Sequence, residues 1–282
     1  MGDNEASVKL EYFGPYLVTE RIADTPWEVI YHAVDGRSKQ EVTLKLVSSK
    51  LPPEVQEKLF LNESETLRMV RHPNIATVIE AGTLNERYYI CVESLAGDTV
   101  KSLVAEKSLM PLHEKLGVIA QAADGLQCAH EHGIVHQSLL PRDIVLLADG
   151  RVKLHGFHLR RYDNDARSAA EVLFGKVVYL SPEQVKGEEA GPASDVFSLA
   201  TILYEFVTFQ MPFPGREITS ALFKIVGRDP VPLRNFVPDA PDGLLDIIGK
   251  ALDKDPAKRY ATATQMATAL RALSTELRGA AA

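Results

Sequence analysis

The feature that most constrains this chain is a change in the period of its apolar residues. Val42, Leu44 and Leu46 alternate with Thr43 and Lys45, the two-residue period of a strand with one face toward a core. Further along, Leu116, Ile119, Ala123 and Leu126, and again Leu199, Ile202, Leu203 and Phe206, recur at spacings of three and four, the mark of a helix face. Between these regimes Pro52-Pro53 opens one helix, on which Phe60, Glu63, Leu67 and Val70 share a face. The pattern predicts an α+β chain: a small β-rich lobe with one long helix, a break near Gly97, and a larger helical lobe. The expected boundaries are a flexible N-terminus at 1–10, a small lobe at 11–95, a large lobe at 96–277 and a flexible C-terminus at 278–282.

Composition narrows the function classes. With 282 residues, 45% of them hydrophobic, the chain can bury a full core. A net charge of −7 argues against nucleic acid or an anionic membrane surface as the main partner. Cys91 and Cys128 lie in apolar runs rather than at metal-ligand or disulfide spacing, which suits a reducing cytoplasm, the expected location. No segment is long and apolar enough to insert in a membrane, no signal peptide is visible, and Ala6 replaces the Ser or Thr of a myristoylation motif.

From Tyr16 to about Leu273 the order of motifs resembles that of protein kinases, particularly the bacterial relatives of the eukaryotic Ser/Thr enzymes. Val42-Thr-Leu-Lys45 is similar to the strand that carries the ATP-binding lysine, and Glu63 stands where a helix offers that lysine a carboxylate. His72-Pro-Asn-Ile75 follows, and Glu93 through Gly97, including Leu95, resembles the hinge, with Val92 as gatekeeper. His132-Gly-Ile-Val-His136 resembles the approach to the catalytic loop, and Ser181-Pro-Glu183 the end of the activation segment. Ser194-Asp195 resembles the start of the central helix of the large lobe, and Arg259 the arginine that pairs with Glu183. The resemblance implies a bilobal protein-kinase-like fold. It also implies a hydrophobic column through Leu67, Val78, His136 and Phe157 anchored at Asp195.

Against that pattern, several chemistry-bearing positions are replaced. Ala23, Thr25 and Glu28 stand for the three glycines of the phosphate-covering loop, and Pro26 removes a backbone donor. In His136-Gln-Ser-Leu-Leu-Pro-Arg-Asp143, Ser138 replaces the aspartate base, Leu140 the lysine and Gln137 the arginine that reads a phosphorylated loop. Gly156-Phe157-His158 stands for D-F-G, leaving Asp143 as the one carboxylate at the two metal positions. Lys176 replaces a threonine of the substrate loop, and Ser168 is the main hydroxyl of the activation segment.

The expectation from these losses is a pseudokinase, not an enzyme: a protein-interaction or allosteric signalling module. Its expected partner is a protein, such as an active kinase or signalling protein, and by analogy a dimer through the small lobes is allowed. The alternatives are a nucleotide-binding switch without turnover and an unconventional ATP-using transferase. No intact catalytic residue is expected, Ser138, Asp143 and Gly156 being degenerate. Lys45 and Glu63, with hinge residues Glu93 and Leu95, form a vestigial nucleotide site. No metal and no cofactor are expected beyond weak ATP binding without magnesium. His130, His132, His136, His155 and His158 match no zinc spacing and are read as structural.

Overall fold

The computed structural model describes residues 11–24, 28–57, 60, 70–157, 175 and 177–281. The sequence expectations at Thr25, Pro26, Glu63, Leu67, His158, Ser168 and Lys176, and those on the N-terminal ten residues, lie outside the described residues. The chain divides into two compact units: one takes the residues up to Arg71 together with Ala76–Ala96, the other His72–Ile75 and everything from Gly97.

The first unit is built on a six-stranded antiparallel sheet in the order β1-β2-β3-β4-β6-β5. Its strands are β1 (Glu11–Phe13), β2 (Tyr16–Asp24), β3 (Glu28–Asp35), β4 (Glu41–Val47), β5 (Val78–Leu84) and β6 (Arg87–Glu93). Val42, Leu44 and Leu46 of β4 are buried with Tyr16, Val18, Ala33, Tyr89 and Cys91 in one core, as the alternation predicts. Asn85 and Glu86 both take positive φ (50° and 61°) in the two-residue connection between β5 and β6. That geometry matches strand twist in a tight hairpin. At one end of the core the Glu80 carboxylate accepts from Tyr16 (2.8 Å), Tyr89 (2.8 Å) and Arg37 (2.6 Å). The buried hydroxyls are thereby satisfied, and the Arg37 guanidinium and Tyr16 hydroxyl hold the Glu80 carboxyl below its ordinary range. Residues 53–57 are helical, directly after Pro52.

The second unit opens with a small sheet, β7 (Gly97–Thr99), β8 (Ile144–Leu147) and β9 (Val152–Leu154). Its helices are α1 (Val100–Ala105), α2 (Leu112–Glu131), α3 (Pro182–Val185), α4 (Pro192–Thr208), α5 (Ile218–Gly227), α6 (Asp242–Ala251) and α7 (Ala263–Ala281). Leu116, Ile119, Ala123 and Leu126 of α2, and Leu199, Ile202, Leu203 and Phe206 of α4, are all fully buried, so both predicted helix faces are core faces. Lys115 is buried as well; its Nζ donates to the Phe206 carbonyl (2.8 Å) and lies 4.4 Å from the Phe209 ring. A cation there meets the free carbonyls at the end of α4, where Phe209 turns left-handed (φ 57°). Helix α7 runs to Ala281, past the expected end of folded structure at Leu277, because the alanine-rich segment has the highest helix propensity.

His72–Ile75 belong with the second unit through long-range bonds that the linear division at 95/96 does not anticipate. Asn74 donates to Gln121 (3.1 Å) and to the Val152 carbonyl (2.8 Å), and its own carbonyl accepts from Leu154 N–H (2.9 Å). The fold class is α+β, strand-rich in the first unit and helical in the second, as expected.

Gly97 illustrates the tightness of the small sheet: a Cβ built there would stand 2.2 Å from the Leu146 carbonyl oxygen, a backbone atom that cannot rotate away. Gly97→Ala should therefore destabilise the second unit by about 1–3 kcal/mol, read as a lower urea midpoint at unchanged m-value.

Candidate functional site

Each unit holds candidate side chains of its own. In the first, Lys45 sits centrally on β4, paired in register with Ile30 of β3 and Ile90 of β6, and is only 6% exposed. Burial of a lysine at mid-strand is expensive unless the ammonium has a partner or a ligand. Thr43 lies beside Val92 across the ladder, at the gatekeeper level. Glu93 closes β6: its carboxylate accepts from Thr77 N–H (2.6 Å), and its own N–H donates to the Thr77 carbonyl (3.0 Å). Leu95 is half-buried two residues on. Ala23 pairs with Ile30 in the β2–β3 ladder, next to a shift of register after Arg21, and Glu28 begins β3, so two of the three replaced glycines lie in strands.

In the second unit the loop from His136 to Asp143 is held at three points. The buried Asp195 carboxylate accepts from His136 N–H (2.8 Å) and Gln137 N–H (2.9 Å), and lies 2.7 Å from His130 Nε2. Gln137 takes positive φ (65°), a conformation that costs energy for a residue with a Cβ and is sustained by these bonds. Its carbonyl accepts from Gln184 Nε2 (2.5 Å). At the far end Asp143, fully buried, accepts from Leu140 N–H (2.9 Å) and closes a short 3-10 turn. Ser138 lies between these anchors, partly exposed.

Gly156 follows β9 with φ of 84°, backbone that favours glycine. The next ring, Phe157, is buried and packs on His136 at 4.5 Å. Two members of the expected hydrophobic column are thus in contact, and Asp195 anchors the backbone beneath them.

The histidines of this region are held by protein groups: His136 Nε2 by the His155 carbonyl (3.1 Å), His155 Nε2 by the Arg142 carbonyl (3.1 Å), and His132 Nδ1 by the Cys128 carbonyl (2.8 Å). Among the described residues, no three His, Cys, Asp or Glu side chains are gathered as a metal ion would require. Nor is any helix among them long and apolar enough to cross a membrane.

Below the loop, Glu183 and Arg259 form a two-pronged ion pair, with Nη1 to Oε1 and Nη2 to Oε2 both 2.8 Å. Ser194 Oγ donates to the same Oε1 (2.7 Å), and the guanidinium also reaches the carbonyls of Ala193 and Asp253. Burial alone would raise the Glu183 pKa, but the Arg259 fork and the Ser194 hydroxyl outweigh it and hold it at about 2. Sequence reasoning found this pair but missed two neighbours, Gln184 at the loop carbonyl and Tyr179, whose hydroxyl donates to Glu205 (2.6 Å). Neither carries a local sequence signal, because the contacts span 47 and 26 residues.

The sequence model of the "Protein kinase domain" family matches residues 27–270. Serine/threonine-protein kinase PknL of Mycobacterium tuberculosis is 32% identical over 268 residues, 93% of this chain and 66% of the relative. PknA of the same species is 31% identical over 268 residues, 92% of this chain and 61% of the relative. A Clostridium perfringens protein named probable serine/threonine-protein kinase CPE1738 is 32% identical over 208 residues, 73% of this chain and 30% of the relative. The chain thus spans 30% to 66% of the length of these relatives.

These matches correct the expectation of a pseudokinase and of a chain that is not an enzyme: the relatives aligned over nearly the whole chain are named kinases. The error lay in equating replaced side chains with absent activity. Phosphoryl transfer depends chiefly on positioning and electrostatics, and a missing general base lowers a rate rather than removing the reaction.

Arg259→Met would leave the Glu183 carboxylate buried without its cation and should cost about 3–5 kcal/mol, measured as a drop in Tm and urea midpoint. Because the Glu183 pKa is depressed to about 2, the pair's contribution is complete above the ordinary carboxylate range. It is lost as pH falls from about 4.3 toward 2, so acid-unfolding curves of the wild type and Arg259→Met should converge in that window.

Proposed function

Because this chain belongs to the protein kinase domain family, we propose that it transfers the terminal phosphoryl group of ATP to serine or threonine hydroxyls of a protein substrate, at a rate limited by Ser138. The observation that carries this reading is the loop from His136 to Asp143, held at His136 and Gln137 by Asp195 and closed by Asp143. A rigid loop of this kind supplies positioning, the larger part of kinase catalysis. The names of the relatives support the same chemistry.

In the step, the substrate hydroxyl oxygen bonds to the γ-phosphorus while the bond from that phosphorus to the bridging oxygen of ADP breaks. Serine is not basic near neutral pH, so the hydroxyl proton passes to the transferred phosphoryl oxygens rather than to residue 138. Lys45, by family resemblance, supplies positive charge to the nucleotide phosphates. Magnesium is the family's usual counter-ion, and the residues present do not fit a two-ligand site for it. Gly156 has no side chain, which leaves Asp143 as the one carboxylate at the two positions.

The test is phosphate incorporation from γ-labelled ATP into a mixed protein substrate, with magnesium or manganese supplied. Wild-type incorporation should exceed that of Lys45→Ala, with circular dichroism confirming that the variant folds. Ser138→Asp should raise the rate by roughly 10²-fold, the lower end of what a positioned base contributes. Incorporation by the wild type and by Ser138→Asp no greater than by Lys45→Ala would refute the proposal.

A further inference from the structure

The segment His72–Ile75 belongs to the second unit, although the residues on both sides of it, up to Arg71 and from Ala76, belong to the first. Pro73, whose ring fixes φ, and Asn74 are the central pair of a tight turn that closes when Ile75 N–H donates to the His72 carbonyl (3.1 Å). The first position of such a turn favours a side chain that accepts from the N–H two residues on. Here a histidine does so: Nδ1 of His72 accepts from Asn74 N–H (3.1 Å).

The turn docks on α2 and β9. Besides the Asn74 bonds to Gln121, the Val152 carbonyl and Leu154 N–H, Ile75 forms a parallel bridge with Leu154, and Lys153 Nζ donates to the Ile75 carbonyl (3.3 Å). Gly125 of α2 permits this approach, since a Cβ there would stand 2.6 Å from the Asn74 carbonyl oxygen.

An imidazole nitrogen accepts a hydrogen bond only while it carries no proton. In the docked turn the ring is therefore neutral, with its proton on Nε2. A second proton would go to Nδ1 and face the Asn74 N–H, donor against donor. The surroundings act in the same direction: burial holds the half-buried His72 below its ordinary pKa, and Lys153 of β9 pushes it further down. Asp124 and Glu131 of α2 pull it up, but Asp124 is paired with Arg271 of α7 and Glu131 accepts from Gln127.

We propose that His72 is a proton-operated latch: protonation of its ring breaks the bond from Asn74 N–H and releases the turn His72–Ile75 from α2 and β9 in mild acid. The docked turn excludes the proton, whereas the released turn, with an ordinary imidazole, takes it up. Docking is thus complete above the ordinary histidine pKa of about 6.5 and is lost progressively as pH falls below it. Between pH 7.5 and 5.5 the neutral share of a free imidazole falls from about nine-tenths to about one-tenth, so the released fraction should rise roughly tenfold.

The experiment is amide hydrogen exchange on the intact chain at those two pH values, each rate corrected for its intrinsic pH dependence. The N–H groups of Asn74, Ile75 and Leu154 report on the turn and its docking, and the buried amides of α4 are the control. Protection at the three reporters should drop roughly tenfold at pH 5.5 while that of α4 holds. His72→Asn keeps the bond, because an asparagine Oδ1 accepts from the same N–H, and removes the titration, so its turn should be equally protected at both pH values. Nitrogen NMR shifts of the wild-type imidazole give a readout that needs no variant: at pH 7.5 Nδ1 of His72 should be the bare nitrogen. Equal protection of the wild-type turn at the two pH values, an equal drop in His72→Asn, or a proton on Nδ1 at pH 7.5 would overturn the proposal.

Discussion

The Asp195 carboxylate is the contact on which the second unit's functional loop depends. It is 1% exposed, and its two oxygens meet His136 N–H, Gln137 N–H and the His130 ring. A buried carboxylate is tolerated only when donors surround it, and here the donors are the loop whose shape it sets. Asp195 also sits in the first turn of α4, where the free N–H groups and helix dipole favour negative charge. Gln137 can hold its left-handed backbone because the bond to Asp195 and the one from Gln184 fix it on both sides.

One residue earlier, Ser194 donates to Glu183, which is locked to Arg259. The first turn of α4 therefore supports two separate features, the loop that carries residue 138 and the segment that ends at Glu183. This explains how family architecture persists while chemistry-bearing positions change. The groups that shape the loop are Asp195, Asp143 and Gln184. Residue 138 lies between these anchors in the chain.

The catalytic expectation failed at that distinction. Ser138, Gly156 and the missing glycines are visible in the sequence, and taken one by one they imply a loss of function. The alignment with named kinases over more than nine-tenths of the chain weighs against that reading. Rate in this chemistry is distributed over many groups whose effects are not additive, so no single replaced side chain decides activity.

What the sequence by itself determined is the kind of structure and the register of its cores. The alternation at Val42, Leu44 and Leu46 and the three-four spacing in α2 and α4 are local patterns, and burial follows them directly. The pairing of Glu183 with Arg259 was also legible, through the family resemblance. Only the tertiary structure decided where His72–Ile75 belong, the left-handed backbone at Gln137 and Gly156, and the aromatic surroundings of Lys115. Those depend on partners far away in sequence: Asn74 is bonded to a carbonyl 78 residues on, and Lys115 to that of Phe206. Periodicity records which face of an element leaves water, but the identity of the atom met across the core is set by how the elements pack.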